Sequence, residues 1–295
     1  MTTDLTTMTR RSVSRSLAGV LAELELRAPE VVDLQLMREA VEAAGEPGDR
    51  AHVLAVIDGL RRNGWLLPLR TRGVWEFAPA ARSGAFRSGD PFTELRAYLA
   101  RHPDRAATVA MESAAFRLGL ASHPPSREVL AVGPEVPSDG ALSGFRLVRL
   151  QLGPAAAGEY DGLACHTVEG LVVAMAAKPS GYRDWPNVGQ WLADAAARVQ
   201  VFEGDGSMRS LLSGRPAATW ARAAYLLRVG GQRESAAELL DAGPGRPTGP
   251  VYLGPRPSTE DGRRSALWDH EMGVYDSVLR VHDTVQEPAH PRLMR

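Results

Sequence analysis

The chain has 295 residues, which is more than a typical single domain and favours two. Hydrophobic residues make up 44% and charged residues 23%, as in an ordinary folded protein, and a formal net charge of −1 argues against an extended polyelectrolyte binder. No apolar run approaches the roughly 18 residues of a membrane span, and the single cysteine, Cys165, excludes an internal disulfide and a cysteine-rich zinc site. The first residues lack the apolar core of a secretion signal, so we expect a cytoplasmic protein with no membrane partner.

Two amphipathic helices are predicted before residue 45. The first apolar stripe runs from about Ser12 to Arg27 and ends before Pro29; it consists of Val13, Leu17, Val20, Leu21 and Leu24. The second follows Asp33, a good N-cap, and ends at Gly45; it consists of Leu34, Met37, Val41 and Ala44. A four-residue connection, 45–48, then leads to a third helix, which is the spacing of a helix-turn-helix.

The third helix is predicted from the N-cap Asp49 to a stop at Gly64. Its core-facing stripe has the spacing i, i+3, i+4, i+7 and consists of Val53, Val56, Ile57 and Leu60. At about 100° per residue, the opposite side should hold Ala51, Ala55, Asp58, Gly59 and Arg62. Asp58 would repel DNA phosphates unless it pairs with Arg62 or accepts a hydrogen bond from a cytosine.

A short hairpin should follow at once, with strands over 65–69 and 74–77 and a turn over 70–73. Gly73 can supply the positive φ of the turn, and Pro68 fits an edge strand. Three helices followed by a basic hairpin are typical of a winged helix, which binds DNA with its third helix and its wing. An ordinary surface helix, with small residues that reflect only an alanine-rich composition, is the alternative.

The charge distribution favours the DNA-binding interpretation. Residues 60–89 carry arginines 61, 62, 70, 72, 82 and 87 but one acid, Glu76. We expect Arg50, Ala51, His52 and Ala55 to approach base edges. Phosphates or the minor groove should be contacted by Arg61, Arg62, Arg70 and Arg72.

The second half predicts a mixed α/β domain of about 200 residues after a small, polar linker over 80–90. Helices are predicted over 92–101, 111–118, 169–177, 188–199, 217–229 and 234–240, strands over 127–132 and 145–152, and an irregular or extended segment over 244–257. The predicted fold is therefore α+β with two domains: a winged helix-turn-helix over 1–85 and a larger mixed α/β domain over 86–295.

No catalytic residue, metal site or cofactor is predicted. Cys165 and His166 are adjacent and point to opposite faces of a strand, so a buried thiol is the better interpretation. Asp269-His270-Glu271 lacks the two histidines one turn apart that a zinc helix needs. The glycine-rich run 243–249 contains prolines, which remove the amide donors of a phosphate-binding loop. We therefore expect a protein that is not an enzyme.

Several short motifs follow one another in the second half of the chain: Glu112-Ser113-Ala114-Ala115, Leu118-Gly119-Leu120, 167–172 with Lys178-Pro179, 224–227, 251–255 and Trp268. Their order and spacing resemble those of the AbiEi family, the antitoxins of type IV toxin–antitoxin systems. Coverage is nearly the whole chain, and the likeness is to a mycobacterial member paired with a nucleotidyltransferase-like toxin. Where many relatives have Arg-Thr at the start of the middle helix, this chain has Glu169-Gly170, so no arginine role is carried over there.

The resemblance implies an antitoxin that represses its own operon by binding inverted repeats in operator DNA as two copies. It also implies a second domain that counteracts the toxin, by direct contact, through the toxin's target or by modifying the toxin. Two alternatives stay open: a winged-helix regulator whose second domain senses a small molecule, and an enzyme with a DNA-binding appendage.

Overall fold

The structure, a computed structural model, describes residues 14–81, 88–137, 140–255 and 266–279. It divides into two compact units, one formed by residues 1–107 and 133–146, the other by residues 108–132 and 147–295. Helices and short sheets occur in both, which confirms the predicted α+β class. The predicted domain boundary at residue 85 stays a prediction, and the predicted linker lies partly outside the described residues.

The first unit contains the predicted succession of helices and hairpin. Its elements are α1 (Arg15–Arg27), β1 (Val31–Asp33), α2 (Leu34–Ala43), α3 (Arg50–Arg62), β2 (Leu66–Pro68), β3 (Val74–Phe77) and α4 (Thr93–Arg101). The Asp33 carboxylate caps α2 by accepting the Leu36 N–H at 2.8 Å, as the sequence predicted. The predicted beginning of α1 at Ser12 lies outside the described residues.

The sheet of the first unit has three strands, in the order β1-β3-β2, and both pairings are antiparallel. The sequence predicted only the two hairpin strands. Strand β1 was missed because its three residues are too few to show a period of two, and it forms only by pairing with β3. Pro68 lies in the edge strand β2, where a missing N–H costs no ladder hydrogen bond.

The helices and the sheet enclose one small apolar core. It contains most of the predicted stripes of the three helices together with residues of the sheet: Val20, Leu21, Leu24, Val32, Met37, Ala40, Val41, Val53, Val56, Ile57, Leu60, Trp65, Leu66 and Phe77. The prediction for Leu34 is wrong, because this first residue of α2 is 40% exposed, and Val13 lies outside the described residues. Each large apolar side chain buried in this way stabilises the fold by about 1.5–3 kcal/mol. The core therefore fixes which side of α3 faces solvent.

The second unit is built around a five-stranded sheet and a helical layer. Its strands are β4 (Ala107–Val109), β5 (Val129–Val132), β6 (Arg146–Arg149), β7 (Ala157–Tyr160) and β8 (Leu163–His166), in the order β6-β5-β4-β8-β7. Its helices are α5 (Met111–Arg117), α6 (Val168–Ala177), α7 (Trp185–Val188), α8 (Leu192–Arg198), α9 (Met208–Leu212), α10 (Ala217–Val229) and α11 (Arg233–Asp241). A second sheet joins β9 (Val251–Leu253), β10 (Leu267–Asp269) and β11 (Val274–Asp276) in the order β10-β11-β9.

The helix predicted over 188–199 is wrong, because the structure has two helices with a break at 189–191. Trp185 and Trp191, on either side of the break, both pack edge-on against Tyr182, with ring centroids 5.3 and 6.3 Å away. In a continuous helix, six residues turn through about 600°, so the two indoles would point about 120° away from each other and could not share one face. The break contains Gly189 and lets both indoles pack against Tyr182.

Candidate nucleic-acid interface

Helix α3 is fixed at its start by Asp49 and along its length by the core. The Asp49 carboxylate accepts hydrogen bonds from the backbone N–H groups of Ala51 and His52, at 3.0 and 3.1 Å. The predicted apolar stripe of Val53, Val56, Ile57 and Leu60 is buried. The remaining side of the helix faces solvent, which is the geometry that insertion into a DNA groove requires.

The predicted contact residues of α3 are accessible. Arg50, Ala51, Ala55, Arg61 and Arg62 are exposed, whereas His52 is half-buried with its Nε2 3.6 Å from a carboxylate oxygen of Glu46. The two alanines leave the middle of this side without bulk, so a DNA backbone or base edge could approach the helix closely. Contact with DNA stays a prediction for all six residues.

Asp58, the acid on this side, is neutralised within the helix. Its carboxylate lies 3.1 Å from the Arg62 Nε, in the i,i+4 arrangement that the sequence offered as one resolution. Both side chains are exposed, so the ion pair contributes only a few tenths of a kcal/mol. Arg62 can therefore exchange Asp58 for a phosphate at little cost.

The solvent side of α3 differs from the sequence prediction at two positions. Gly59, predicted to face outward, is buried, and a Cβ built there would lie 3.2 Å from the Leu17 Cδ1, because α1 crosses the helix at that point. Leu54 is 43% exposed, although leucine was not considered for the surface. It lies about 100° from the centre of the apolar stripe, and that angle was the signal the sequence offered.

The β2–β3 hairpin presents Arg70 and Arg72 near its turn, and both are exposed. Gly73 has the predicted positive φ, 77°. The Arg70 backbone N–H donates to the Glu94 carboxylate at 3.1 and 3.2 Å, and its Nη1 donates to the Ser143 Oγ at 3.2 Å. The hairpin turn is thus held by contacts within the first unit, which makes the positions of its arginines more definite than those of a free loop.

The acid within the basic stretch does not face solvent. Glu76 is 1% exposed, and its carboxylate accepts the Ser88 backbone N–H. Arg82 and Arg87, which the sequence count included, lie outside the described residues. Among the described residues of the stretch, the exposed charge is therefore that of the arginines at the end of α3 and at the hairpin turn, of which Arg62 is paired with Asp58.

Sequence reasoning missed two basic residues of the first unit, Arg101 and His102, which end α4. They line a cavity together with Arg70 and Arg72. They lie about thirty residues after the hairpin in sequence, and only the tertiary fold brings α4 next to the hairpin turn. The sequence therefore did not indicate that these four residues line one cavity. The sequence offered no pattern that could have found it.

Two adjacent titratable groups of the second unit, Cys165 and His166, are buried. Burial raises the pKa of the Cys165 thiol to about 11 and lowers the pKa of His166 to about 4. Cys165 is buried, as predicted from the sequence. No group of three or more metal-ligating side chains occurs among the residues that the structure describes.

Because His166 is buried with a lowered pKa, we expect the free energy of unfolding to fall in acid. The folded pKa of about 4 lies below the ordinary value of 6.5, so the unfolded chain binds a proton first and stability falls as the pH drops below about 6.5. Between pH 7.5 and 5 this one group should cost about 2 kcal/mol of unfolding free energy. Urea unfolding at both pH values should show that this increment disappears in His166→Phe. The exposed His123→Phe is the control and should retain it; an equal pH dependence in wild type and His166→Phe would contradict the assignment.

Comparison with known proteins finds a family likeness for the middle of the chain. Residues 106–229 match the family model for the AbiEi antitoxin C-terminal domain. This segment, called here the AbiEi domain, is similar to the C-terminal domain of AbiEi antitoxins. It begins with β4 and ends with α10, and the likeness implies a role in a toxin–antitoxin system.

A solved structure extends the likeness beyond the AbiEi domain. The RV2827C protein from Mycobacterium tuberculosis is 27% identical, with a TM-score of 0.71 over 92% of this chain and 94% of that one. No curated protein matches the sequence. Within the described residues, no helix has the length and apolarity needed to cross a membrane.

The motif residues of the AbiEi domain are structural. Ser113 is fully buried; its Oγ accepts the Val129 N–H at 2.7 Å and donates to Glu128, which also forms an ion pair with Arg117 at 2.9 Å. This network joins α5 to β5, so it satisfies polar groups that would otherwise be costly to bury. The Ser113 position of the motif therefore contributes to the stability of the α5–β5 contact.

Glu169 and Gly170, where many relatives have Arg-Thr, have defined roles at the start of α6. Thr167 caps the helix by accepting the Gly170 N–H at 3.1 Å, and the Glu169 carboxylate accepts the Gln200 N–H at 2.8 Å. Gly170 lies against the Ala156 carbonyl, where a side chain would not fit. This departure from the family pattern is thus accommodated by local packing.

The AbiEi domain also contains an open cavity of about 850 Å³, at the α9–α10 connection. Its walls combine aromatic rings with guanidinium and hydroxyl groups, namely Phe202, Trp220, Arg209, Arg215 and Ser210. Arg215 is committed to the structure, since it donates to the carbonyls of Leu211 and Gln151 at 3.0 and 2.9 Å.

Proposed function

We propose that the chain is a DNA-binding antitoxin that represses its own toxin–antitoxin operon through the first unit and counteracts a nucleotidyltransferase-like toxin through the AbiEi domain. The first unit would act as a winged helix on operator DNA, with α3 in the major groove and the β2–β3 hairpin as the wing. The observation that carries this proposal is the exposed side of α3, with small residues at its middle and arginines at its end, on a helix fixed by its cap and core.

The proposed DNA contacts are of two kinds, those to base edges and those to phosphates. Arg50, Ala51, His52 and Ala55 lie along the first two turns of α3 and would approach base edges, and the exposed Leu54 would contact a thymine methyl group. Phosphate contacts would come from Arg61, Arg62, Arg70 and Arg72. We propose an operator with inverted repeats bound by two copies, which the family resemblance implies.

The antitoxin part of the proposal is tested by co-expression. The open reading frame beside this gene should encode a nucleotidyltransferase-like protein whose expression alone arrests growth, and growth should recover when this chain is expressed with it. An Ala51→Glu, Ala55→Glu variant should still restore growth, because acidic side chains on α3 repel DNA without changing the AbiEi domain. Persistent arrest with the wild-type chain would reject the antitoxin proposal.

The alternative of a regulator with a small-molecule sensor is favoured by one observation, the cavity of about 850 Å³ in the AbiEi domain. A sensor would lose its response, but not its ability to bind DNA, when Arg209 and Ser210 are replaced with alanine. An antitoxin that does not use the cavity would restore growth equally well with these replacements. Promoter-duplex binding with and without candidate ligands tests the sensor, and the co-expression assay tests the antitoxin.

A further inference from the structure

Glu94, in the first turn of α4, contacts the backbone of the hairpin turn. Its side chain is half-buried, and both carboxylate oxygens accept the backbone N–H of Arg70, at 3.2 and 3.1 Å. A hydrogen bond to an ionised acceptor is roughly twice as strong as one between neutral groups. The carboxylate therefore joins α4 to the turn that presents the hairpin arginines.

Helix α4 is itself fixed to the sheet of the first unit. Thr93, next to Glu94, is 4% exposed, and its hydroxyl donates to the Glu30 carboxylate at 2.9 Å. The Arg96 Nε lies 2.9 Å from the same carboxylate, and the Arg96 Nη1 forms an ion pair with Asp90. Glu30 directly precedes β1, which pairs with β3 of the hairpin. Glu94 therefore extends from a helix that is attached to the hairpin's own sheet.

The turn directs its two arginines outward. Thr71 is 5% exposed, whereas Arg70 and Arg72 on either side of it are exposed. A loop that is already held in one conformation loses less conformational entropy when it binds a partner. The bond from Glu94 to the turn backbone therefore lowers the entropic cost of presenting both guanidinium groups to one surface.

Glu94 has two opposing effects on binding of DNA by the hairpin. Its negative charge lies beside arginines that are proposed to contact phosphates, and it repels the DNA backbone. Its hydrogen bond, in contrast, holds the turn that carries those arginines. Because the two effects have opposite signs, replacement of Glu94 shows which one is larger.

We propose that Glu94 is a positioning residue for the wing: it holds the hairpin turn so that Arg70 and Arg72 meet the DNA backbone in one fixed geometry. This inference rests on the proposed binding of operator DNA by the first unit. It adds α4, which contacts no DNA in that proposal, to the parts of the chain that DNA binding requires.

The test compares the full-length wild type with Glu94→Ala, Glu94→Gln and Glu234→Ala. Glu234 is exposed and is the second residue of α11, as Glu94 is of α4, so this control removes the same charge from the same helix position. Glu94→Ala should bind the promoter duplex about tenfold more weakly, although it removes a negative charge, since freeing one turn residue costs on that scale. Glu94→Gln, whose amide oxygen can still accept the N–H, and Glu234→Ala should bind at least as tightly as the wild type.

Two results would overturn the proposal. Unchanged or tighter duplex binding by Glu94→Ala would show that the charge of Glu94 matters and its anchor does not. Equal weakening in Glu94→Gln and Glu94→Ala would show that an acceptor at this position is not what the turn needs.

A double variant tests whether Glu94 acts through the hairpin arginines. When Arg70 and Arg72 are both alanine, the Glu94→Ala replacement should cause no further weakening of duplex binding, because the anchored turn then carries no charge. A further tenfold loss in this background would mean that Glu94 acts on another part of the first unit, and the proposal would fail.

Hydrogen exchange of the Arg70 backbone amide tests the anchor without DNA. Exchange should be about tenfold faster in Glu94→Ala than in the wild type, and it should be unchanged in Glu234→Ala. Normal duplex binding by the wild type with unchanged exchange in Glu94→Ala would reject the role of Glu94 alone. Absence of duplex binding by the wild type, with faster exchange in Glu94→Ala, would instead reject the operator proposal on which this role depends.

Discussion

The double variant Arg70→Ala, Arg72→Ala should bind its own promoter duplex roughly ten- to a hundredfold more weakly than the wild type. The loss should be similar for specific and unrelated sequences, because these arginines are proposed to contact phosphates and not base edges. The slope of log affinity against log salt should fall in magnitude by about one to two units, one for each released phosphate contact. Fluorescence anisotropy of a labelled duplex between low and physiological salt measures both quantities.

The matched control for this variant is Arg209→Ala, Arg246→Ala. Both residues are exposed arginines of the second unit, so the net charge changes equally while the hairpin stays intact. The control should keep the wild-type affinity and slope. An unchanged slope in the hairpin variant would remove the hairpin from the interface and leave α3 as the sole proposed contact.

Gly170→Ala should destabilise the AbiEi domain by about 3 kcal/mol or more. A Cβ at this position would lie 2.0 Å from the Ala156 carbonyl oxygen and 3.0 Å from its carbon, far inside van der Waals contact. The carbonyl cannot retreat freely, because it accepts the Thr167 N–H at 3.0 Å, and Thr167 in turn caps α6. The substitution therefore strains the backbone where the 3₁₀ turn of residues 154–156 contacts the start of α6.

Gly158→Ala is the matched control for this prediction. Gly158 lies in β7, where an added Cβ would have its nearest neighbour at 3.9 Å, the Thr167 Cγ2, and needs no positive φ. Its stability should stay within about 1 kcal/mol of the wild type. Urea unfolding of the two variants should separate them clearly; equal stability would show that Ala156 moves aside and that Glu169-Gly170 is not fixed by packing.

These two predictions concern different units, which allows the proposed activities to be separated. The hairpin variant should lose operator binding and retain the AbiEi domain, whereas Gly170→Ala should weaken the AbiEi domain and leave α3 and its cap intact. In the co-expression assay, the first should still protect against the toxin and the second should not. Such opposite outcomes would assign repression and neutralisation to separate parts of the chain.

The elements predicted well are those with strong local signals. Helix α3 has an acidic N-cap, a stripe of four apolar residues and a glycine stop, and each of these is fixed by sequence-local geometry, as are Gly73 in the turn and Asp33 at the start of α2. Strand β1 and most strands of the second unit were missed because three or four residues show no readable period. The break between α7 and α8 was missed although Gly189 lies within it, because a single glycine inside a helical pattern is compatible with a continuous helix.

The helices and hairpin of the first unit, the core-facing side of α3 and the likeness of residues 106–229 to AbiEi antitoxins could all be read from the sequence, because periodicity, capping residues and motif order are local features of the chain. Only the tertiary structure decided that Gly59 lies under α1, that Leu54 reaches solvent, and that Arg101 and His102 join the hairpin arginines around one cavity. Those facts depend on which surfaces meet across long separations in sequence. Side-chain periodicity indicates which face of a helix is buried. Only the packing of the whole chain specifies which element covers that face.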